Sequence, residues 1–302
     1  MTMTFDALVI GGSFAGLSAA MQIARGRRRV CVIDAGAPRN RFATASHGFF
    51  GQDGEAPLAM IASAREKLLA YSNVHFIQGL AVGAAADAGG GGFSVVLDSG
   101  EALCARKLVL ACGIVDRLPE GIPGLHERWG RTVLHCPYCH GYEFNGRPLG
   151  VLWVGPMSAH QAQLIPEWGP TTLFLNGREA ELDGEMRAKL LARSVSLEPA
   201  TLASFEDGGV RLRDGRLIDI AALYLASRTE MASPLAEQLG CEFDAGPFGP
   251  VIRTDAFKQT TVAGVYAAGD AARVPHNATF ASADGVMAGA SLHQALLFGP
   301  AV

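Results

Sequence analysis

Phe5-Asp6-Ala7-Leu8-Val9-Ile10-Gly11-Gly12-Ser13-Phe14-Ala15-Gly16 decides the fold. A short apolar run ends in a glycine turn, Leu17 to Ala24 continues with helical character, and Val30-Cys31-Val32-Ile33-Asp34 reads as a second strand. Strand, glycine turn, helix and strand in this order open a dinucleotide-binding fold, where glycine lets the backbone turn tightly and approach a pyrophosphate. Gly11 and Gly16 fit the pattern, with Gly12 between the first two positions. Ser13 takes the middle glycine position, with a side chain small enough to fit there. Asp34 follows at the spacing where a carboxylate accepts hydrogen bonds from an adenosine ribose. Glycines also end strands for purely geometric reasons, so the place at the first strand and the spacing to Asp34 carry the inference.

Outward from this unit, Ala59 to Ala70 has helical character and Val74 to Gln78 reads as a strand. Ala81 to Leu97 reads as strands joined across the glycine-rich tip Ala84 to Gly92, and Lys107 to Gly113 as a buried strand ending in a turn. The Pro/Gly-rich segment Leu118 to Gly124 marks a crossing between domains. Leu149 to Gly155 then begins a second strand–turn–helix unit, with Thr172 to Leu175 as its next strand. After a further Gly/Pro-rich stretch at Phe243 to Pro250, Gly264-Val265-Tyr266-Ala267-Ala268-Gly269-Asp270 reads as a strand returning to the first domain. Ala281 to Leu297 is a small-residue-rich closing helix. The expected architecture is α/β, with two Rossmann-like domains of the FAD/NAD(P)-binding kind, the second inserted into the first. Residues 1–116 and 244–302 make the outer domain and 117–243 the inserted one. Asp270, at a strand end after Gly269, suits a sugar or pyrophosphate network. It suits equally the cap of the next helix.

His135-Cys136-Pro137-Tyr138-Cys139-His140-Gly141-Tyr142-Glu143 carries the chemistry. A close dithiol cycles between thiol and disulfide. A four-thiolate zinc site would need a second close pair, which the chain lacks, and His135 and His140 lack the spacing of a recognised finger. Redox exchange is the better reading, with no metal. Pro137 limits backbone freedom between the sulfurs, and a helix opening at this pair would favour a thiolate. His140 is the adjacent general acid/base candidate, against the plainer reading of a solvent-facing histidine. His47, in Ser46-His47-Gly48-Phe49-Phe50-Gly51, either faces a flavin or substrate or makes a structural hydrogen bond in its loop. Cys31, Cys104, Cys112 and Cys241 read as small buried hydrophobes.

A length of 302 residues suits two domains, and 49% hydrophobic residues supply their cores. The net charge of −4 offers nothing to nucleic acid or an anionic membrane. Arg27-Arg28-Arg29 reads as a solvated helix–strand turn. Met1-Thr2-Met3-Thr4 runs straight into a strand, with no signal peptide visible and no apolar run of bilayer length, so a cytoplasmic location is expected. In that compartment a close cysteine pair is redox or metal chemistry rather than a structural staple.

Nearly the whole chain resembles the low-molecular-weight thioredoxin reductases and related FAD-dependent disulfide oxidoreductases. The resemblance rests on the first glycine turn, the strand ending Ala111-Cys112-Gly113, the central Cys136-Pro137-Tyr138-Cys139, and Gly264 to Asp270 in this order and spacing. It implies that the outer segments bind FAD through Gly11, Gly12, Ser13, Gly16, Asp34, Gly113, Gly269 and Asp270, with Asn277 and Ala278 near the isoalloxazine. It also implies that Cys139 exchanges electrons with the flavin, that Cys136 attacks an external disulfide, and that the protein is a homodimer. A thioredoxin-like protein or a small dithiol or disulfide is the implied partner.

Three departures matter. The residue after the second cysteine is His140 where the family usually has aspartate. This form is more similar to the branch of small-molecule dithiol oxidases that close disulfides in natural products. In the second turn, Gly155-Pro156-Met157-Ser158-Ala159-His160, Met157 occupies the middle glycine position and His160 the final small-residue position. In the strand end Leu175-Asn176-Gly177-Arg178, only Arg178 remains of the basic cluster that holds the 2′-phosphate of NADPH. The inserted domain therefore either takes NADPH through a degenerate turn or survives to hold the dithiol. The expected function is dithiol–disulfide exchange coupled to FAD. It runs as a thioredoxin-reductase-like reductase, as a dithiol oxidase, as a reductase fed by a carrier, or as a redox sensor without turnover.

Overall fold

The structure is a computed structural model and describes residues 4–87, 89 and 91–299. Ala88 and Gly90, in the expected glycine-rich tip, lie outside the described residues. The chain divides into two compact units. One comprises the chain up to Arg39, Ala56–Val115 and everything from Thr229 onward; the other comprises Asn40–Glu55 and Asp116–Arg228.

In the first unit, β1 (Thr4–Ile10) runs into α1 (Phe14–Arg25), and β2 (Val30–Asp34) follows across the Arg27–Arg29 turn. α2 (Pro57–Leu69), β3 (Val74–Gln78), β4 (Ala81–Ala86), β5 (Phe93–Leu97) and β6 (Ala102–Leu110) complete the N-terminal part. β1 pairs in parallel with β2 on one side and β6 on the other, and β3 extends the sheet beyond β2. Strands covered on both faces must be apolar along their whole length, and Ala7 to Val9 are fully buried. β6 serves two partners on one edge: its first half pairs antiparallel with β5, and Leu108–Leu110 pairs in parallel with a strand from the far end of the chain.

The first crossing is β7 (Ile114–Arg117). In the second unit, β8 (Val133–Leu134), the one-turn helix α3 (Pro137–His140), β9 (Leu149–Leu152), α4 (Pro156–Leu164), β10 (Thr171–Phe174), α5 (Gly184–Ala192) and β11 (Ser196–Glu198) follow in order. After the three antiparallel strands β12 (Leu202–Glu206), β13 (Gly209–Leu212) and β14 (Leu217–Ile218), β15 (Ala222–Leu225) closes a parallel sheet of order β11-β10-β9-β15-β8. β8 sits at its edge, so the dithiol that follows it leaves from a strand end.

The return crossing is β16 (Arg228–Met231), ahead of the expected change near residue 243. The residues after it explain the difference, because Leu235, Ala236, Cys241 and Ile252 bury in the same core as Leu8, Leu108 and Leu110. α6 (Leu235–Gln238), the hairpin of β17 (Phe243–Ala245) and β18 (Pro250–Ile252), β19 (Val265–Ala267) and α7 (Ala278–Phe298) thus belong to the first unit. β19 is the strand that pairs with β6. α7 packs along α1 through glycines: a Cβ on Gly285 would lie 2.1 Å from the Ala15 carbonyl oxygen, and one on Gly289 2.4 Å from that of Ala19. The small-residue composition of this helix is a requirement of close packing. No helix among the described residues is long and apolar enough to cross a membrane.

Candidate active site

In the first unit, β1 delivers Gly11 at φ +106°, a conformation that side chains rarely adopt. A Cβ there would meet the Ala111 carbonyl oxygen at 2.3 Å, and one on Gly16 would meet that of Gly11 at 1.8 Å. The Gly12 amide donates to Asp34 Oδ1 at 3.0 Å, so the carboxylate at the end of β2 is held against the turn. Ser13 stands at the N-cap of α1 without a side-chain cap bond, and no acidic residue occupies the first helical turn. An anion is the ligand such a helix end takes. Gly113, at φ +70° beyond β6, faces open space where a Cβ would go. Gly269, at φ +76°, lets its strand end approach Ala15, since a Cβ there would lie 2.9 Å from that side chain. Asp270 pairs with Arg39 at 3.0 Å. Asn277 caps α7, its Oδ1 accepting from the Thr279 amide at 2.8 Å, and Ala278 is the first residue of that helix. Gly11, Gly12, Ser13, Gly16, Asp34, Gly113, Gly269, Asp270, Asn277 and Ala278 all lie in the first unit. Tight glycine turn, carboxylate at the second strand end and uncovered Gly113 form a cradle that fits FAD. Arg39 escaped the sequence reading because its partner is 231 positions away.

The second strand–turn–helix differs in kind. Gly155 precedes Pro156, which brings no N–H to the helix start. The Val154 amide donates to Ser158 Oγ at 2.9 Å, so a buried side chain of the helix satisfies the turn from within. Arg178 donates from Nε and Nη2 to the two carboxylate oxygens of Glu181 at 2.6 and 2.7 Å. Trp153 Nε1 donates to the same carboxylate at 3.0 Å. The Arg178 and Trp153 hydrogen bonds hold the Glu181 carboxyl below its ordinary pKa, so it faces the arginine as a carboxylate. The Arg178–Glu181 pair is a surface bridge, both side chains more than two-fifths exposed. Glu181 gave no signal in the sequence, being one acid in the run Glu179-Ala180-Glu181.

The dithiol is built by β8 and α3. Cys136 is the N-cap of α3, Pro137 its first residue, and Cys139 and His140 its last two. Tyr224 in β15, alongside Leu134, donates from its hydroxyl to the His140 carbonyl at 2.7 Å and anchors the turn. Burial, and after it the charges of Cys136, Glu143 and Cys139, push the Tyr224 pKa up, so this donor keeps its proton. Gln161 Nε2 donates to the His135 carbonyl at 2.7 Å, and the Trp168 ring packs edge-on to Tyr138. Gly141 is required where it stands, because a Cβ there would meet the Pro137 carbonyl oxygen at 2.5 Å and the indole at 2.7 Å. Tyr224 and Trp168 lack any motif; only the sheet register reveals them.

Burial lowers the His140 pKa, the Glu143 charge opposes that, and His47 adds to the lowering. His140 is therefore a neutral imidazole at neutral pH, a proton acceptor next in the chain to Cys139. His47 belongs to the dithiol unit, in Asn40–Glu55, although its segment lies between two elements of the other unit. Its Nε2 lies 3.4 Å from Glu143 Oε1 and its Nδ1 3.7 Å from Asp53 Oδ1. Cys31 and Cys241 are buried as expected, whereas Cys104 and Cys112 are half-buried; burial, with a contribution from Glu101, pushes Cys31 up to about 12, and burial pushes Cys112 up to about 11. Cys241 is raised by burial too.

Residues 5–285 match the family model described as pyridine nucleotide-disulphide oxidoreductase. The chain is similar to the thioredoxin reductase tcpT of Claviceps purpurea (strain 20.1), at 34% identity over 94% of this chain and 92% of that protein. The oxidoreductase from Agrobacterium tumefaciens superposes with a TM-score of 0.93 at 45% identity, covering 98% of this chain and 99% of that one. HlmI superposes with a TM-score of 0.92 at 36% identity, covering 98% of this chain and 94% of that one.

Proposed function

This chain belongs to the pyridine nucleotide-disulphide oxidoreductase family as a thioredoxin-reductase-like oxidoreductase, and from that premise we propose that it oxidises a small dithiol to a disulfide. The family implies a flavin, and the glycine cradle at Gly11–Gly16 with Asp34 is where this chain would hold FAD. One observation carries the direction. The second nucleotide turn starts its helix with Pro156, which lacks an N–H, and carries Met157 at the middle position, and Arg178 is paired with Glu181. Electrons then enter from the dithiol substrate rather than from NADPH.

The chemistry starts from the Cys136–Cys139 disulfide. A substrate thiol gives its proton to the neutral His140, and the resulting thiolate attacks the Cys136 sulfur. The Cys136–Cys139 bond breaks, a substrate–Cys136 disulfide forms, and Cys139 leaves as thiolate. The second substrate thiolate attacks the substrate sulfur of that bond, the product disulfide departs, and Cys136 leaves as thiolate. Two electrons and two protons have passed from substrate to enzyme and solvent. FAD, when bound, supplies the two-electron acceptor that returns the pair to its disulfide. Departure of aspartate in favour of His140 suits this direction, because deprotonating an incoming thiol needs a base that is neutral at the working pH.

The test is an anaerobic titration of the flavin-loaded protein with dithiothreitol, NADPH and NADH in separate experiments, following the flavin absorbance. Bleaching by dithiothreitol alone, lost in Cys136→Ser, is expected. Rapid bleaching by NADPH or NADH would reverse the direction and restore the reductase reading.

A further inference from the structure

Tyr138 stands between the two cysteines, bonded directly to Cys139 and two residues from Cys136. Chain connectivity alone keeps its Cα about 4 Å from one cysteine Cα and within about 7 Å of the other. Pro137 beside it is buried, yet Tyr138 is left 73% exposed. The exposed ring is nonetheless held. Its centroid lies 5.2 Å from that of Trp168, with the two planes 87° apart. Edge-to-face pairing of this kind favours one orientation of the ring. Trp168 is fixed in turn. It follows the short 3-10 turn Ile165–Glu167, and its amide donates to the Ile165 carbonyl at 2.9 Å. The next residue, Gly169, packs so close that a Cβ there would lie 2.3 Å from the Arg147 carbonyl oxygen. The indole also meets Gly141, where a Cβ would come within 2.7 Å of its Cδ1. That contact already seats the indole against the dithiol turn. What the Tyr138 pairing adds is orientation rather than burial: a phenol ring kept mostly in solvent, in a set attitude, beside the sulfurs.

The scaffold that carries an incoming thiol must lie over the α3 turn while the thiolate attacks Cys136. An aromatic ring already oriented there recognises a flat, unsaturated scaffold by stacking, and it gives a puckered saturated one no matching face. We propose that Tyr138, held by Trp168, is a specificity-determining residue that selects small dithiols carried on an aromatic or other flat unsaturated ring. This rests on the reading that the Cys136–Cys139 pair exchanges with a small dithiol.

The experiment compares ortho-benzenedimethanethiol with its saturated cyclohexane counterpart. Both carry two alkyl thiols on a ring of the same size, both close to a cyclic disulfide, and only the first is flat. The full-length, flavin-loaded protein with its Cys136–Cys139 disulfide closed is mixed anaerobically with each dithiol, and the cyclic disulfide formed in the first turnover is timed by acid quench and chromatography. Each exchange closes one substrate disulfide and opens the protein disulfide, so two electrons and two protons pass to the cysteines. Dividing each rate by that dithiol's rate with glutathione disulfide removes intrinsic thiol reactivity. In wild type the flat dithiol is faster by about fivefold. Tyr138→Ala brings the ratio to about one, Tyr138→Phe keeps it, and Trp168→Leu, which frees the ring, lowers it part-way. A tyrosine with a merely structural role would slow both dithiols alike in Tyr138→Ala and leave the ratio in place. That result, or a wild-type ratio near one, overturns the proposal. Should Trp168→Leu fail to fold, the two Tyr138 variants decide alone, since both change an exposed ring. The ratio is read between sulfurs, before the flavin. A protein whose flavin no dithiol bleaches, but whose ratio behaves as described, would defeat the oxidase reading and leave this assignment standing. Bleaching by both dithiols at a ratio near one would do the reverse, and no exchange with either would sink both.

Discussion

The chain builds strand, glycine turn and helix twice, at Gly11–Gly16 and at Gly155–His160, and the two turns have opposite chemistry. In the first, a backbone amide holds Asp34 at the next strand end and the helix N-cap makes no side-chain bond. In the second, Ser158 satisfies the turn from inside and a proline starts the helix. The charged residues diverge in the same way: Asp34 is held at the turn by Gly12, whereas Arg178 is bound by Glu181. A Rossmann-like topology therefore guarantees a turn at the strand end but not a ligand in it.

The largest effect should come from steric contrast between the turns. Gly16→Ala places a methyl group 1.8 Å from a carbonyl oxygen, so flavin content and thermal stability should both collapse. Gly155→Ala points into open space and carries only the strain of its φ of +157°. Flavin content and the response to dithiothreitol should stay near wild type. Equal losses in the two variants would break the contrast.

Next comes His140→Gln. Removing a positioned base should slow dithiothreitol-driven bleaching about 100-fold, measured by stopped-flow absorbance. In the wild type the rate should hold as pH falls through the ordinary histidine value of about 6.5 and decline only below it, because burial lowers the His140 pKa. The same shift links to stability. Between its folded and unfolded pKa values His140 binds the proton only in the unfolded chain, so the fold loses stability as pH drops through this window. Thermal melts of wild type and His140→Gln across that range should converge toward the acid side.

Asp34→Asn tests the first turn more gently. Loss of a carboxylate acceptor should weaken FAD binding about tenfold, read by flavin fluorescence on dilution. Smallest of all is Arg178→Ala. Its charge is already taken by Glu181, so the NADPH titration should not change. A weaker NADPH response in that variant would show that the second turn still receives a phosphate.

The legible parts of this molecule were those whose physics is local. Glycines followed by a small-residue helix announce a turn at a strand end, and Phe5 to Ile10 could only be a buried strand. Cys136 and Cys139 around a proline read as a redox pair without any fold. What escaped depends on partners far apart in the chain. Nothing near Arg39 points to Asp270, and Glu181 is one acid in a polar run until Trp153 and Arg178 converge on it. The boundary at Arg228–Thr229 was also hidden, because Gly/Pro composition marks turns whereas the burial of Leu235 and Ala236 marks membership of a core. In sequence His47 fits a flavin- or substrate-facing role and a loop hydrogen bond equally, and only the fold of its loop brings Glu143 to it.

The Asn40–Glu55 excursion has a consequence for anyone recombining such proteins. A chimera that exchanges residues 116–228 between two relatives would seem to transplant the dithiol unit whole. It would leave Phe42 and His47 behind, facing a foreign Gly130 and a foreign Glu143 equivalent. The transferable module is discontinuous, and its smaller piece sits inside the sequence of the other module. Heredity along the chain and kinship in space diverge here, and a graft that respects only the former starts with a mismatched joint.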